Sequence, residues 1–363
     1  MTPPAFLPST KKTTLLCALL STLLLLTACG SSGSEGDGDS QDTTNGSDNT
    51  DDTDASGNEP VDIYNAIFTT RSADCAAYVN EYDANPIDIK NDTAFNADVL
   101  ITATETECTF TSNSVPNHDF NDETAAFAGG AEGATIAATD TVHSVTRTPA
   151  FAAAPTYITQ QIKNAIFLNG VRLDIMSAGC YRPTSADANE DGDVGIGCDS
   201  NAAWLIDPLG TDSKFGADEH NAHTQPGGLY HYHGGPNAMF DDNPGPNGSP
   251  VIGFAADGFP VFGSYFLDSN SGQVRKAVSG YTLKTGSRGT RSDTNPGGAH
   301  TGKYNDDWEY TGSGDLDECN GMTVDGQYGY YVTDSYPWVI KCLRGTPDDS
   351  FVQSGGNGGP PPR

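Results

Sequence analysis

The sequence predicts a mainly β fold: one Gly-rich, disulfide-stabilised domain, a β-sandwich or barrel, with long loops and one or two short helices. Of the 363 residues, 42 are glycine, and with Asn, Asp and Pro they cut the chain into short segments. Between those breaks fall β-prone runs: Val99-Leu100-Ile101-Thr102, Cys108-Thr109-Phe110, Ala165-Ile166-Phe167-Leu168 and Val251-Ile252-Gly253-Phe254. No long amphipathic helix is written anywhere. The one helical spacing, Cys75, Tyr78, Val79 and Tyr82, predicts a helix over 73–82.

From the start of the chain, Lys11 and Lys12 precede an apolar run from Leu15 to Leu26, and Leu26-Thr27-Ala28-Cys29-Gly30 closes it. A basic head, a short apolar core and small residues at a cleavage point are the marks of a secretory signal over 1–28. The run falls short of the about 20 residues that span a bilayer. Its terminal box resembles the lipobox of bacterial lipoproteins, which implies a lipid on Cys29. In those lipoproteins Gly30 and Ser31 after the cysteine imply the outer membrane. The membrane is then a partner through this anchor.

Residues 30–60 hold nine acidic residues, no Lys or Arg, and otherwise mostly Gly, Ser, Asn and Thr. Such a segment buries too little apolar surface to offset its ordering entropy, so 29–60 is expected to be a disordered tether. Taking its nine acids and the leader's two lysines from the 48 acidic and 18 basic residues leaves 39 and 16, a formal charge of −23. That field argues against nucleic acid as a partner and draws cations. A folded domain is expected over 61–347, followed by a mobile tail over 348–363.

Eight cysteines are present. With Cys17 in the leader and Cys29 lipidated, six remain, an even set suited to three disulfides in an exported chain. Fifteen pairings are open. Sequential neighbours are the expectation: Cys75 with Cys108, Cys180 with Cys198, Cys319 with Cys342. No pair has Cys-x-x-Cys spacing.

The chemistry gathers around Leu229-Tyr230-His231-Tyr232-His233-Gly234-Gly235. Between two Gly pairs, this alternation predicts a short strand with His231 and His233 on one face and Tyr230 and Tyr232 on the other. Two neutral imidazoles on a rigid strand suit a transition metal; packing among the tyrosines is the alternative. Upstream, His223 is the favoured third ligand over His220, which adjoins Glu219. His118, in Asn117-His118-Asp119, is a further candidate against a structural role. Asp187, Asn189, Asp191 and Asp193, with Gly192, match the front half of a calcium loop. Cys198 stands where that loop's closing Glu belongs, so a shorter calcium loop competes with an acidic surface loop. Asp257-Gly258 reads as a hairpin turn. Asp317 lies in a carboxylate cluster that is either a solvated face or the source of a general base.

The motif Tyr230-His231-Tyr232-His233 resembles that of the bacterial YHYH-domain proteins. Similar to that family's blocks are also Asn221-Ala222-His223-Thr224-Gln225-Pro226, Ile252 to Gly263, Leu316 to Gly321, Asn169-Gly170-Val171 and Tyr336-Pro337. The resemblance covers about Asp140 to Pro347, with earlier traces at Asp74-Cys75 and Asn117-His118-Asp119. It implies one continuous domain and no particular reaction. Two functional expectations follow. One is a divalent transition metal on His223, His231 and His233, serving an extracytoplasmic enzyme in which Asp257 or Asp317 manages protons. The other is a calcium-stabilised binding or scaffolding module for a small molecule or surface polymer. No serine-nucleophile elbow or phosphate-binding Gly loop is present.

Overall fold

The computed structural model describes residues 59–121, 136–213, 216–225 and 227–353. The expected leader, Cys29 and nearly all of the expected tether lie outside the described residues. Two sheets organise the rest. The first has five strands in spatial order β1 (Val61–Asp62), β2 (Asn80–Ala84), β3 (Ala97–Ala103), β4 (Glu107–Ser112) and β5 (Thr141–Thr146). The second uses β6 (Ala165–Phe167), β7 (Arg172–Leu173), β8 (Ala222–Thr224), β9 (Tyr230–Tyr232), β10 (Val251–Ala255), β11 (Pro260–Phe262), β12 (Gly321–Val324) and β13 (Gln327–Tyr331). Its spatial order is β8-β9-β7-β6-β10-β11-β13-β12.

The two sheets differ in how their strands are written. In β3, Ala97, Val99 and Ile101 are buried while Asp98 and Leu100 face out, the alternation of a sheet with one wet face. All five residues of β10 are buried, and such a strand reads as an unbroken apolar run. Phe254 of β10 packs on Phe110 of β4, with ring centroids 6.1 Å apart, and on Tyr78, 5.7 Å away. Ser112 donates to the Gly170 carbonyl at 2.6 Å. These contacts join the sheets around one core, and the fold is a disulfide-stapled β-sandwich with long loops.

The expected helix over 73–82 is a correction. Only Cys75–Tyr78 turns, as a 3₁₀ helix capped by Asp74, and the chain then extends as β2. Pairing with β3, Tyr82 opposite Val99, satisfies the backbone that a helix would have satisfied internally. Val79, which the helical spacing counts as core, is exposed. The disulfides are Cys75–Cys108, Cys180–Cys198 and Cys319–Cys342, the sequential set. The Asp257-Gly258 turn joins antiparallel β10 and β11, with Gly258 at φ +85°. Of the expected tail, residues 348–353 are packed: Phe351 is buried, and its carbonyl accepts from Lys163 N at 3.0 Å; 354–363 lie outside the described residues.

Inside the sandwich His143 of β5 stands opposite Phe110 and stacks on Phe351 at 4.5 Å. Burial first, and the Arg172 guanidinium second, push its imidazole down to about 4. The unfolded chain takes up a proton near pH 6.5, whereas the folded one refuses it until about 4, so stability is lost as pH falls across that window. His143→Phe removes this liability. Relative to the wild type, the variant is expected to gain up to about 3 kcal/mol between pH 7 and pH 4; a difference in denaturant-derived stability that stays constant with pH contradicts this.

Candidate metal centre

Strands β8 and β9 run antiparallel with His223 directly opposite His231, Ala222 opposite Tyr232 and Thr224 opposite Tyr230. Gly227 and Gly228, at φ +104° and +90°, reverse the chain between them. At Gly228 a side chain has no room, because a Cβ there meets Ala137 at 2.5 Å. His233 N donates to Asn221 O at 2.8 Å and extends the ladder by one step. Directly opposed and two-apart residues share a face of a sheet. The three rings therefore meet: His231 Nε2 lies 3.1 Å from His233 Nε2, which lies 3.0 Å from His223 Nε2.

The outward nitrogens fix the tautomers. His223 Nδ1 lies 2.8 Å from the Gly216 carbonyl and His231 Nδ1 lies 3.4 Å from the Leu229 carbonyl. A carbonyl only accepts, so each Nδ1 carries the proton and each Nε2 presents a lone pair. Both lone pairs point at His233 Nε2, whose single proton satisfies one neighbour and leaves the other facing a bare nitrogen or the back of an N–H. A shared cation resolves the conflict for all three. Ligating histidines commonly hold a carbonyl on their second nitrogen in this way. Metal–nitrogen bonds of about 2.0–2.1 Å in a tetrahedral arrangement set ligand nitrogens roughly 3.3–3.4 Å apart. The His231–His233 and His233–His223 pairs would open by only a few tenths of an ångström.

All three histidines are buried, at 6%, 4% and 3% exposure for His223, His231 and His233. Desolvation, then the neighbouring rings, holds His231 and His233 far below the usual imidazole range, and the Asp174 backbone carbonyl pulls His233 weakly the other way. These two rings are neutral, the form in which imidazole ligates.

On the opposite face the tyrosines build a polar anchor. Tyr232 donates its hydroxyl to His118 Nε2 at 2.6 Å and accepts from Asn169 Nδ2 at 2.9 Å. His118 Nδ1 gives its proton to the Asp119 carbonyl at 2.6 Å, and burial followed by the His220 charge lowers its ring to about 3. His118 is thus no member of the cluster: strand alternation puts its partner, Tyr232, on the face away from the three Nε2 atoms. Tyr230 donates to Asp218 Oδ2 at 2.6 Å, and Asp218 Oδ1 also accepts from Ala222 N at 3.1 Å, which pins the start of β8.

The other expected site residues are engaged elsewhere. Asp257 accepts from Tyr330 Oη at 2.7 Å and Gly345 N at 2.8 Å; Asp317 accepts from Cys319 N at 2.9 Å, Gly321 N at 3.0 Å and Tyr328 Oη at 3.1 Å. Both carboxylates brace turns, and neither shares a hydrogen bond with the histidines. In the acidic loop Asn189 Oδ1 accepts from Asp193 N at 2.9 Å. Asp193 itself meets Lys303 Nζ at 2.5 Å and Tyr304 Oη at 2.6 Å. Lys303 also reaches Asp191 at 3.7 Å, and Asp187 is exposed. Lys303 thus contacts two of the four residues expected to hold calcium. Among the described residues two groups gather three potential ligand atoms: the histidine trio and Asp74 with Cys75 and Cys108, whose sulfurs are already bonded to each other.

Sequence reasoning missed Lys163, Arg172 and Asp174. Lys163 and Asp174 form a buried ion pair, and Arg172 Nη2 approaches Asp174 Oδ2 at 3.9 Å. Charges at alternate positions inside the buried stretch from Val171 to Ile175 were the available signal.

The fold and site define a β-sandwich protein with a buried three-histidine centre. The chain belongs to the YHYH family: the family model described as YHYH protein matches residues 142–345. No curated protein and no solved structure matches the chain.

Tyr232→Phe strips the partner from His118 Nε2 and one of the two acceptors from Asn169 Nδ2, which keeps Asn117 Oδ1, both atoms buried, at a cost of about 1–3 kcal/mol. Denaturant unfolding is expected to register that loss while the imidazole resonances of residues 223, 231 and 233 stay in place; their displacement contradicts the assignment of the two faces.

Proposed function

We propose that this chain is a lipid-anchored envelope protein whose YHYH domain holds a divalent transition metal on His223, His231 and His233. The observation that carries the reading is the approach of His231 Nε2 and His223 Nε2 to His233 Nε2, at 3.1 and 3.0 Å, the first two held as lone-pair donors by backbone carbonyls. The basic head, apolar core and Cys29 box of the leader support the address. With three nitrogen ligands a metal keeps a position for water or substrate, and supplies Lewis acidity there. The protein's own part is to hold the rings neutral, fix their tautomers and limit solvent. A cleft of about 590 Å³, lined in part by Asn221, Gly235, Lys276, Asp334 and Trp338, lies at the one end of the β8–β9 ladder where Asn221 meets His233, and none of the three histidines is among its lining residues.

A second reading, a structural metal in a non-catalytic binding module, draws on the near-complete burial of the three rings. Both readings share the ion, so its presence is tested first. Element-resolved analysis of protein purified without a His tag is expected to find close to one transition-metal ion per chain. His231→Ala combined with His233→Ala is expected to lose it and to keep the three disulfides. Wild type without stoichiometric metal after reloading and desalting overturns the proposal.

A further inference from the structure

Leu173 of β7 pairs with Tyr232 of β9 in parallel register. Strand alternation then turns Arg172 and Asp174, on either side of Leu173, to the sheet face that carries His231 and His233. The electrostatics agree: Arg172 and Lys163 both depress His231, and Lys163 depresses His233. Asp174 is paired with Lys163 through Oδ2, while its Oδ1 is buried without a hydrogen-bond partner. Arg172 is buried at 7% exposure, and its Nε is buried without a hydrogen-bond partner. The cluster carries two positive charges and one negative beside the histidine rings, and among the described residues no carboxylate joins the ligand set. A divalent ion raises the local sum to three positive charges in a desolvated space. Buried charge of one sign is strongly unfavourable unless it is compensated.

We propose that the fourth position at the histidine centre is an anion site, selective for a small carboxylate or oxyanion with Arg172 as its second contact. The inference rests on the metal reading. An anion bound there reduces the excess charge and meets the guanidinium, whose planar donors suit two-oxygen ligands. The ligand class is thereby narrowed from any small molecule to small acids.

The test uses the full chain reloaded with cobalt(II), whose visible spectrum reports a change of ligand. Titration with acetate and with inorganic phosphate is expected to shift the spectrum saturably. Arg172→Met is expected to weaken acetate by about tenfold or more, with Arg172→Lys recovering part of the loss and neutral imidazole binding alike in all three proteins. Should Arg172→Met fail to fold, the wild type still decides: acetate and phosphate must bind more tightly than imidazole. A cobalt spectrum that neither anion changes, or an acetate affinity that Arg172→Met leaves untouched, overturns the anion site while leaving the metal in place. Failure to bind cobalt at all overturns both.

Discussion

The period-two alternation of Tyr230-His231-Tyr232-His233, set in a strand whose two faces are both covered, is the constraint on which the site depends. Were one face open to water, its polar atoms would need no partners. With every residue of β9 buried, each phenol and imidazole has to be met inside the protein. The tyrosine face meets this need with side chains, through His118, Asn169 and Asp218. The histidine face does so only in part, since the Nδ1 atoms of His223 and His231 find carbonyls, His233 Nδ1 is buried without a hydrogen-bond partner, and the Nε2 atoms find one another. The same short strand is thus a fully satisfied anchor on one side and an incomplete coordination shell on the other.

Register converts that alternation into a cluster. A one-residue slip between β8 and β9 would turn His223 toward Tyr230 and Tyr232, because successive side chains point to opposite faces. Several local devices hold the register. Asn221 takes a left-handed φ of +62°, donates through Nδ2 to the Gly235 carbonyl at 2.9 Å, and accepts at its own carbonyl from His233 N. Asp218 ties the entry to β8, and the Gly227-Gly228 reversal admits no side chain at its second residue. The tightness of the triad is therefore a product of backbone geometry at positions that carry no chemistry of their own.

Much of this was legible in the sequence. The facing of His231 and His233 follows from spacing alone, the preference for His223 from the Glu219 that adjoins His220, the Asp257-Gly258 hairpin from turn chemistry, and the number of disulfides from an even cysteine count, with sequential pairing as the simplest choice. What sequence could not supply is information carried by other strands. The spacing of Cys75, Tyr78, Val79 and Tyr82 fits a helix, yet β3 offers the backbone a partner that no local pattern reveals. His118 and the triad look alike as isolated histidines; only the side of the sheet on which Tyr232 stands separates them. The acidic loop has the oxygen spacing of a calcium site, but Lys303, more than a hundred residues on, already neutralises Asp193. Arg172 and Asp174 went unremarked because charges inside a short buried strand resemble loop residues until their neighbours are known.

The three disulfides join nearest neighbours along the chain, with separations of 33, 18 and 23 residues. A polypeptide that leaves a ribosome or a translocation pore amino end first presents Cys75 and Cys108 before Cys180 has emerged, and completes the second couple before Cys319 appears. At each stage the thiol that arrives meets the mate it keeps. Oxidation in order of appearance yields the final connectivity without thiol–disulfide reshuffling, so maturation of this domain asks for an oxidant and makes little demand on an isomerase.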